Sequence, residues 1–572
     1  MCGIAGIFHY HSDKKVNSDS LIKMNHHMQS RGPDGAGVWL NANESIGLAH
    51  RRLSIIDLSS NANQPLQDEA LSIVFNGEIY NYKILRDQLI QQGFQFKTHS
   101  DTEVLLKLYQ SRGVEMLHAL RGMFAFAIWD EKNQTLFCAR DPFGIKPFYF
   151  SDDGYTFQFA SQVKTLLPHV DQKKSAAAQV GFYLLGSVPE PHTIYENIQA
   201  LPAGSYCLIE KNKKRIQKEY YSIRSAFINA ENNTNKNPLS LTDCLYDTVK
   251  HHLVSDVDVG IFLSAGIDSS TLVNIASEIS ASPKTMTLGF SEYRGTDKDE
   301  VPLAELIAQE FGTHHQTQWL SEEIAQVQRE KIFAQMDQPS IDGVNTYFVS
   351  MLASQLGMKV ALSGLGADEL FAGYAHFSLI PKAMRVAKPF SWLGKPFRHC
   401  MKGRVHPKKA SLLEYGYDVP HAYILARGLF LPWELETVLD RDVIKKGMAE
   451  LNLFHRLQND VEGIQSTRFQ ISALELQWYM RNQLLRDSDW ASMAHSLEIR
   501  VPFVDVQFFE NVIQLIAKRE LSKNDLAMAP NRKLPDAILH RRKTGFNIPV
   551  APWFSQSNDM KGFAKIVCNK FV

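Results

Sequence analysis

The residue with the clearest chemical potential lies at the start of the chain, which reads Met1-Cys2-Gly3-Ile4. Removal of the initiator methionine would leave Cys2 with a free α-amino group. An α-amine with a pKa of about 8 is partly neutral at neutral pH and can accept the thiol proton, so one residue would act as nucleophile and base. The alternative is that Cys2 packs as a small apolar residue of a first β-strand, because an apolar run follows it. Cys2 alone leaves both interpretations open.

Further segments carry side chains that suit an amino-acid amide as substrate. Asn76 and Gly77 could donate hydrogen bonds to the oxyanion that forms when a thiolate attacks a carboxamide. Arg52 could pair with the substrate carboxylate, while Glu78 and Asp101 could hold its ammonium group. Each segment also has an ordinary explanation, because Asn-Gly is a turn signal and an aspartate at the start of a helix is a cap. Their combination with a terminal cysteine favours catalysis.

These segments, in this order, closely resemble the glutaminase domain of class II glutamine amidotransferases, in which an N-terminal cysteine releases ammonia from glutamine. The matching motifs, within residues 1–210, are Arg31-Gly32-Pro33-Asp34, His50 to Ile56, Asn76-Gly77-Glu78 and Ser100-Asp101. The resemblance implies that Cys2 is the nucleophile and that Asn76 and Gly77 form the oxyanion hole. It also implies glutamine contacts, which fall on Arg52, Ile55, Asn76, Gly77, Glu78 and Asp101.

A second group of residues has the composition of a phosphate-binding loop. The apolar strand Val257 to Leu263 runs into Ser264-Ala265-Gly266-Ile267-Asp268-Ser269-Ser270, which opens a helix. Small residues let the backbone approach an anion, and the helix N-terminus offers free N–H groups. No Gly-Lys-Ser/Thr follows, which disfavours a Walker A loop. The strand Lys359 to Leu362 ends in a similar turn, Ser363 to Leu370, and two such turns on parallel strands predict a nucleotide site.

This half of the chain looks like an ATP pyrophosphatase-type synthetase domain, and its pairing with a glutaminase resembles the asparagine synthetase family over nearly the full length. Members of that family adenylate a carboxylate, release pyrophosphate, and use ammonia tunnelled from the glutaminase site to displace AMP. The resemblance implies that Asp268 and Asp368 hold Mg²⁺ and that Lys543 stabilises phosphate charge as a catalytic residue. It also implies ATP contacts, which fall on Leu263, Ser264, Gly266, Asp268, Ser269, Leu288, Ser363 and Gly364.

Two positions depart from the family pattern. Ala265 stands where the family usually has glycine, and we expect it to be tolerated unless a positive φ is needed there. Leu365 stands where asparagine-forming enzymes have a glutamate near the acyl-adenylate, which removes a proton acceptor from the second half-reaction. The segments 342–345 and 544–547 fall where the acceptor should lie and do not look like the aspartate-forming pattern. L-Aspartate is the default acceptor, and a uronic acid or another glycan carboxylate of surface polysaccharides is the alternative.

A third feature is a run without acidic residues, from Leu370 to Leu413, in which basic and aromatic residues alternate. The basic residues are Lys382, Arg385, Lys388, Lys395, Arg398, Lys402, Arg404, Lys408 and Lys409. The simpler interpretation is a solvated face of a surface helix. The alternative is a positive field that recruits an anionic acceptor, with peripheral membrane contact through residues 382–409.

Two functions of other kinds stay open at this point. The chain could be a catalytically silent sensor that binds glutamine and nucleotide, and Leu365 keeps this hypothesis alive. It could also be a glutaminase whose synthetase half only regulates it. Class II amidotransferases with a sugar-phosphate isomerase or a phosphoribosyltransferase are disfavoured, because neither needs two pyrophosphate-binding turns.

The elements that position these residues fall into two kinds. Short strands punctuated by Gly, Asn and Asp dominate the first half, together with a helix from Thr102 to Ser111 capped by Asp101, which predicts a β-rich layered domain with a few helices. The resemblance to class II amidotransferases implies that this domain, over 1–215, is a layered α+β domain of the N-terminal nucleophile type. The Asn-rich stretch predicts a linker at 216–238. Beyond it, strands alternate with amphipathic helices and then give way to helices, which predicts a doubly wound parallel α/β synthetase domain with a helical C-terminal part over 239–572.

Composition limits the partners. The 61 basic and 61 acidic residues balance, so small-molecule substrates are expected and nucleic acid is not. Six cysteines without metal-type spacing predict neither a disulfide framework nor a zinc site, and they fit a reducing cytoplasm. No apolar run is long enough for a transmembrane segment. A homodimer is a further expectation.

Overall fold

The structure is a computed structural model that describes residues 2–232, 238–280, 282–541, 553–554 and 559–571. Two antiparallel sheets come first, with strand orders β10-β8-β9-β1-β3-β2 and β12-β11-β7-β6-β5-β4. Their strands are β1 Gly3–His9, β2 Gly35–Leu40, β3 Ile46–Arg52, β4 Leu66–Asp68, β5 Leu71–Ile79, β6 Gly122–Asp130, β7 Thr135–Arg140, β8 Tyr149–Asp152, β9 Thr156–Ala160, β10 Gln199–Ala200, β11 Ser205–Glu210 and β12 Ile216–Glu219.

A third, five-stranded sheet follows, in which every neighbouring pair is parallel. Its strands are β13 Val259–Phe262, β14 Lys284–Phe290, β15 His314–Leu320, β16 Val360–Leu362 and β17 Glu498–Arg500. The order β15-β14-β13-β16-β17 shows that the chain moves outward from β13 on one side and then resumes on the other side. The switch point therefore lies between β13 and β16, where open α/β sheets bind their ligands.

The helices surround these sheets and dominate the last part of the described chain. They are α1 Ser18–His27, α2 Tyr82–Gln91, α3 Asp101–Arg112, α4 Val163–Leu166, α5 Ala176–Leu185, α6 Ile223–Asn232, α7 Leu241–His252, α8 Ile267–Ile279, α9 Val301–Glu310, α10 Glu322–Gln335, α11 Val344–Gln355, α12 Ala367–Leu370, α13 His376–Ala387, α14 Gly394–Met401, α15 Pro407–Ala410, α16 Leu412–Tyr415, α17 Val419–Arg427, α18 Arg441–Leu451, α19 Leu453–Val461, α20 Thr467–Leu474, α21 Arg486–Met493, α22 Val506–Lys518, α23 Lys523–Met528, α24 Asp536–Leu539 and α25 Met560–Asn569. A π-helix, Glu475–Leu485, joins α20 to α21.

Strand alternation explains how the two antiparallel sheets pack. In β6, Ala125 and Trp129 point into the cluster between the sheets, whereas Phe124 and Phe126 point into a second cluster with α2 and α3. Successive side chains of a strand face opposite ways, so a strand buried on both faces is apolar throughout. The layered α+β domain and the parallel α/β domain predicted from the sequence are thus both present.

Two details of the sequence prediction need correction. The cap of α3 is Ser100, whose hydroxyl accepts from Thr102 N at 3.2 Å, and Asp101 lies inside the first turn with another partner. The predicted linker 216–238 contains β12, which pairs with β11, and α6, which packs against α22. Polar composition indicated a linker there, but one apolar face is enough to dock a short helix. Among the described residues, each helix is too short or too polar to traverse a bilayer.

Candidate active sites

The first candidate site surrounds Cys2, at the start of β1 in the middle of the first sheet. Cys2 is buried, and burial raises the pKa of its thiol. The backbone N of Cys2 donates to Asn76 Oδ1 at 3.0 Å, and its carbonyl accepts from Arg31 Nε at 3.0 Å. Because burial favours the neutral thiol, attack on a substrate requires a nearby base.

Asn76 and Gly77 lie together on β5, opposite Ala125 and Phe124 of β6. Asn76 is fully buried, and its Oδ1 accepts from the Cys2 backbone N, whereas its Nδ2 has no hydrogen-bond partner among the described residues. Gly77 has φ of +155°, and a Cβ at this position would lie 2.1 Å from the carbonyl oxygen of Met123. An unsatisfied buried donor beside a thiol is the arrangement that an oxyanion hole needs.

Arg52 is the last residue of β3, and Ile55 lies on the loop that follows. The Arg52 guanidinium donates to backbone carbonyls, including Ser59 O at 2.7 Å, and to Asn63 Oδ1 at 2.9 Å. Ile55 is buried, and its carbonyl accepts from Asp256 N at 3.0 Å. Arg52 therefore organises its own loop in this structure, and the loop is braced by a residue that precedes β13.

Glu78 and Asp101 form an acidic pair at the end of β5. Asp101 Oδ2 accepts from Ile79 N at 3.0 Å, and burial raises the pKa of Asp101 to about 6. Burial also raises the pKa of Glu78 well above its ordinary value, and the nearby Glu498 carboxylate adds to this. Both carboxyl groups would gain from a bound cation such as an ammonium group.

Sequence reasoning missed the partner of Glu78, which is Arg500 on β17. Arg500 Nη2 lies 3.5 Å from Glu78 Oε2, and Arg500 Nε donates to Glu498 Oε1 at 2.6 Å. The carbonyl of the same residue accepts from Ser363 N at 2.9 Å. From the sequence alone, we assign the segment Glu498 to Asp505 only a structural role. The signal for a role at the first site is its charged residues, Glu498 and Arg500, which lie among apolar residues. Arg500 connects the first site to the second.

The second candidate site lies at the switch point of the parallel sheet. Ser264 and Ser269 form a closed turn, with their hydroxyl oxygens 3.0 Å apart, and α8 begins at Ile267 without a side-chain cap. Ala265 is not among the residues with positive φ. The turn after β16 lies against this one, since a Cβ on Gly364 would be 2.9 Å from Asp268 Cβ.

Two further predicted ATP contacts flank these turns. Leu263, at the end of β13, donates its backbone N–H to Met286 O of β14 at 2.9 Å. Leu288 is buried on β14, beyond Met286 along the strand. The predicted ATP-binding residues thus lie on the neighbouring strands β13, β14 and β16 or on the turns and helix start that follow them, and their role stays a prediction. Lys543 and the segment 544–547 lie outside the described residues.

Asp268 and Asp368 converge on one cation, Lys523 of α23. Lys523 Nζ lies 2.9 Å from Asp368 Oδ1 and also bonds to Asp268 Oδ1. Burial lowers the pKa of Lys523, but the two carboxylates more than compensate and leave it raised. No motif pointed to Lys523, because contacts between distant segments leave no spacing signal. Two carboxylates beside a phosphate-binding turn fit Mg²⁺, which takes one or two carboxylates plus phosphate oxygens.

Leu365 is half-buried and packs against the main hydrophobic cluster. The next carboxylates along the chain are Asp368 and Glu369. Glu369 is fully buried and accepts from the Tyr374 hydroxyl at 2.8 Å through Oε1, while Oε2 has no hydrogen-bond partner within the part of the chain that the structure describes. Burial raises the pKa of Glu369 to about 7, with contributions from the Asp368 and Glu475 carboxylates. A partly neutral carboxyl group therefore lies one turn beyond Leu365.

A small cavity is lined by residues of both halves of the chain, among them Arg31, Ser161, Asp489 and Trp490. Arg31 is fully buried and forms a bidentate pair with Asp489, at 2.7 and 2.9 Å. Ser161 Oγ accepts from Ile4 N, next to the Cys2 strand start. A Cβ on Gly343 would lie 2.4 Å from the Trp490 ring. Two residues that line the cavity therefore contact β1 and the segment where an acceptor is expected, respectively.

Comparison with known proteins agrees with this arrangement. A family model described as a glutamine amidotransferase domain matches residues 1–221, and one described as asparagine synthase matches residues 240–570. Asparagine synthetase (glutamine-hydrolyzing) 1 of Bacillus subtilis strain 168 is 34% identical over 99% of this chain and 89% of its own length. A putative asparagine synthetase of Mycobacterium bovis is 33% identical, covering 94% and 85%. Asparagine synthetase B of Escherichia coli K12 is 31% identical, covering 67% and 66%.

The two domains and their sites define a glutamine-hydrolysing, ATP-dependent amide ligase. The chain belongs to the asparagine synthetase family. The family resemblance seen in the sequence is confirmed, as is the combination of a layered α+β domain with a parallel α/β domain.

Proposed function

We propose that this chain transfers ammonia from glutamine to an ATP-activated carboxylate, with L-aspartate as the default acceptor and AMP and pyrophosphate as products. The observation that carries the proposal is the Asn76 side chain, which lies beside the buried Cys2 and whose buried Nδ2 has no hydrogen-bond partner among the described residues. A sensor would not need an unpaired donor at the place where an oxyanion develops.

In the first half-reaction, the α-amine of a Cys2 freed from Met1 takes the thiol proton, and Sγ attacks the glutamine carboxamide carbon. Asn76 Nδ2 and the Gly77 N–H stabilise the oxyanion. The C–N bond then breaks, ammonia leaves with the proton, and water hydrolyses the thioester to glutamate. Arg52 and Ile55 shape the substrate loop, while Glu78 and Asp101 hold the substrate ammonium group.

In the second half-reaction, the acceptor carboxylate attacks the α-phosphate of ATP, and the bond to pyrophosphate breaks. Ser264, Gly266, Ser269 and the start of α8 bind the pyrophosphate, and Leu263, Leu288, Ser363 and Gly364 bind the rest of ATP. Asp268 and Asp368 would hold Mg²⁺, which neutralises charge on the phosphate oxygens. Lys543 is proposed to stabilise the same charge. Ammonia then attacks the acyl-adenylate carbon, AMP leaves, and an amide results.

A uronic acid or another glycan carboxylate is the second candidate acceptor. The observation that favours it is Leu365, which packs against the main hydrophobic cluster. By the family resemblance, asparagine-forming enzymes have a glutamate at this position. An acceptor screen tests the choice: purified protein, glutamine and Mg-ATP are mixed with aspartate or with a nucleotide-linked uronic acid, and AMP is measured. AMP with aspartate supports the default acceptor, whereas AMP only with the uronate overturns it.

The sensor hypothesis and the regulated-glutaminase hypothesis are tested with Cys2→Ala and the same assay. We expect the wild type to release glutamate and Cys2→Ala to release none, while ammonium chloride still supports AMP formation in the variant. A wild type that binds glutamine without hydrolysing it would support the sensor. A wild type that hydrolyses glutamine but forms no pyrophosphate with any carboxylate would support a purely regulatory synthetase half.

The remaining parts of the proposal are Mg²⁺, a homodimer and a cytoplasmic location. Titration of MgCl₂ tests the first: AMP formation should need it, and Asp368→Asn should raise the concentration required. Light scattering of the purified protein tests the second, and fractionation of cells that express it tests the third. A monomer in the light-scattering measurement would contradict the homodimer. Protein found neither in the cytoplasmic fraction nor at the cytoplasmic membrane would contradict the cytoplasmic location. The domain bounds 1–215 and 239–572 also stay a prediction.

A further inference from the structure

The outer side of α13, α14 and the 3-10 turn Lys388–Leu393 carries apolar and basic side chains together. We call this surface the basic aromatic face, and its residues are Leu379, Lys382, Arg385, Val386, Lys388, Phe390, Trp392, Lys395 and Phe397. Trp392 is 76% exposed and Phe390 is 51% exposed. Among the described residues, every exposed Phe and Trp side chain lies on this face.

The opposite side of the same segment is firmly packed. Ile380 and Ala387 are almost fully buried, and a Cβ on Gly394 would lie 2.5 Å from Glu414 Cα. Arg398 Nε bonds to Glu414 Oε2 at 2.5 Å, and its guanidinium lies over the Trp433 ring. The segment therefore has one side built into the domain and one side directed to solvent, so the exposed aromatic residues are not the result of an unfolded loop.

The charges on this face are unpaired. Lys382, Arg385, Lys388 and Lys395 make no ion pair with a carboxylate in the part of the chain that the structure describes. The run from Leu370 to Leu413 has no acidic residue to supply one. In a chain whose basic and acidic residues are equal in number, this concentration of positive charge is local.

We propose that the basic aromatic face docks the protein on an anionic lipid bilayer. Lysine and arginine are attracted to acidic headgroups, and Trp and Phe side chains insert at the boundary between headgroups and acyl chains. Leu379 and Val386 are aliphatic, so they suit acyl chains better than nucleic-acid bases, which stack on aromatic rings. A second copy of this chain would present the same positive charge and be repelled.

Docking here would bring the second site to the membrane surface, because α13 begins soon after the turn that carries Asp368. The docking proposal does not depend on which carboxylate the enzyme amidates. Failure of the basic aromatic face as a docking surface would leave the proposed reaction untouched, because vesicle binding and AMP formation are separate measurements.

The test is co-sedimentation of the full chain with vesicles of phosphatidylcholine alone or of phosphatidylcholine with phosphatidylglycerol. We expect binding to the acidic vesicles, little binding to the neutral ones, and weaker binding as salt screens the charges. The double variant Phe390→Ser with Trp392→Ser should reduce the bound fraction several-fold. The variant Lys382→Gln, Arg385→Gln, Lys388→Gln and Lys395→Gln should weaken the affinity about 10- to 100-fold.

A matched control changes exposed residues on the other domain, namely Lys214→Gln, Ile216→Ser and Lys218→Gln. This control should bind the vesicles as the wild type does, and glutamine hydrolysis should be unchanged in all variants, which shows that they fold. The proposal is overturned if the wild type does not bind acidic vesicles, if it binds neutral vesicles equally well, or if the control loses binding as much as the face variants.

Discussion

At the scale of single residues, burial has prepared several groups for a ligand that brings charge. Among the described residues, Asn76 Nδ2 is a buried donor without an acceptor, and Glu369 Oε2 is a buried acceptor without a donor. A buried group of this kind lowers stability by the free energy of a lost hydrogen bond unless a partner is supplied. In the proposed reaction, substrate or a reaction intermediate would supply the partner at each of these two positions.

Replacement of Asn76 by Ala should lower the rate of glutamine hydrolysis about 10²- to 10³-fold, the usual loss when one oxyanion donor is removed. Glutamine KM should change little, since the donor acts on a charge that develops during the reaction. The measurement is glutamate release under saturating glutamine. AMP formation with ammonium chloride should be retained, and an unchanged hydrolysis rate would show that Asn76 Nδ2 is not the donor.

The pKa of Asp101 predicts how glutamine binding depends on pH. Burial raises this pKa to about 6, so the carboxyl group becomes neutral as the pH falls through that value. A neutral carboxyl group cannot pair with the substrate ammonium group, and glutamine KM should therefore rise at lower pH. In Asp101→Asn the KM should be high already and should not change around pH 6. A wild-type KM that is flat across this range would contradict the assignment.

At the scale of elements, the sequence predicted the strands and the two nucleotide turns well. The strand predicted at Val257 to Leu263 contains β13, and the helix predicted at Thr102 to Ser111 is α3, which is one residue longer at each end. Periodicity identifies such elements because it reflects which face is buried. It could not reveal that β17 brings Arg500 beside Glu78, because that contact joins segments far apart in the chain.

Arg500 of β17 contacts both candidate sites, the first through its side chain and the second through its backbone carbonyl. The variant Arg500→Met changes only the side-chain role. The side chain stabilises Glu78 and Glu498, whereas the carbonyl that holds Ser363 belongs to the backbone and survives the change. We expect stability to fall by about 3–5 kcal/mol, because two buried carboxylates lose their cation. The pH below which glutamine KM rises should move upward, while ATP affinity is retained.

The measurements are urea unfolding and glutamine KM against pH, with Arg519→Met as the control. Arg519 is 71% exposed and lies just after α22, so its loss should change neither quantity. Equal stability of Arg500→Met and the wild type would contradict the assigned pairing.

At the scale of the whole molecule, the motif from Arg31 to Asp34 joins the two domains. Arg31 pairs with Asp489 of α21, and Asp34 pairs with Lys359 at 2.8 Å, just before β16. The sequence identified this motif only as a match to the glutaminase family. Neither partner could be found from local pattern, since more than 300 positions separate each pair. The interface therefore fixes the start of the Cys2 strand, through Arg31, against α21 and beside the cavity that Arg31 and Asp489 line.

Arg31→Met tests whether this alignment contains the ammonia. The variant leaves Asp489 buried without its cation and removes the donor to the Cys2 carbonyl, so stability should fall by about 3–5 kcal/mol. The double variant Arg31→Met with Asp489→Leu removes both charges and should recover part of that loss, which a double-mutant cycle measures.

If the pair of Arg31 and Asp489 also seals the cavity, both variants should release more glutamate per AMP than the wild type, because ammonia escapes to solvent. The exposed control Arg441→Met should keep the wild-type ratio. If Arg31→Met is unstable but keeps the wild-type ratio of glutamate to AMP, the pair of Arg31 and Asp489 only holds the domains together. If the stabilised double variant has a raised ratio of glutamate to AMP, the pair seals the cavity against loss of ammonia.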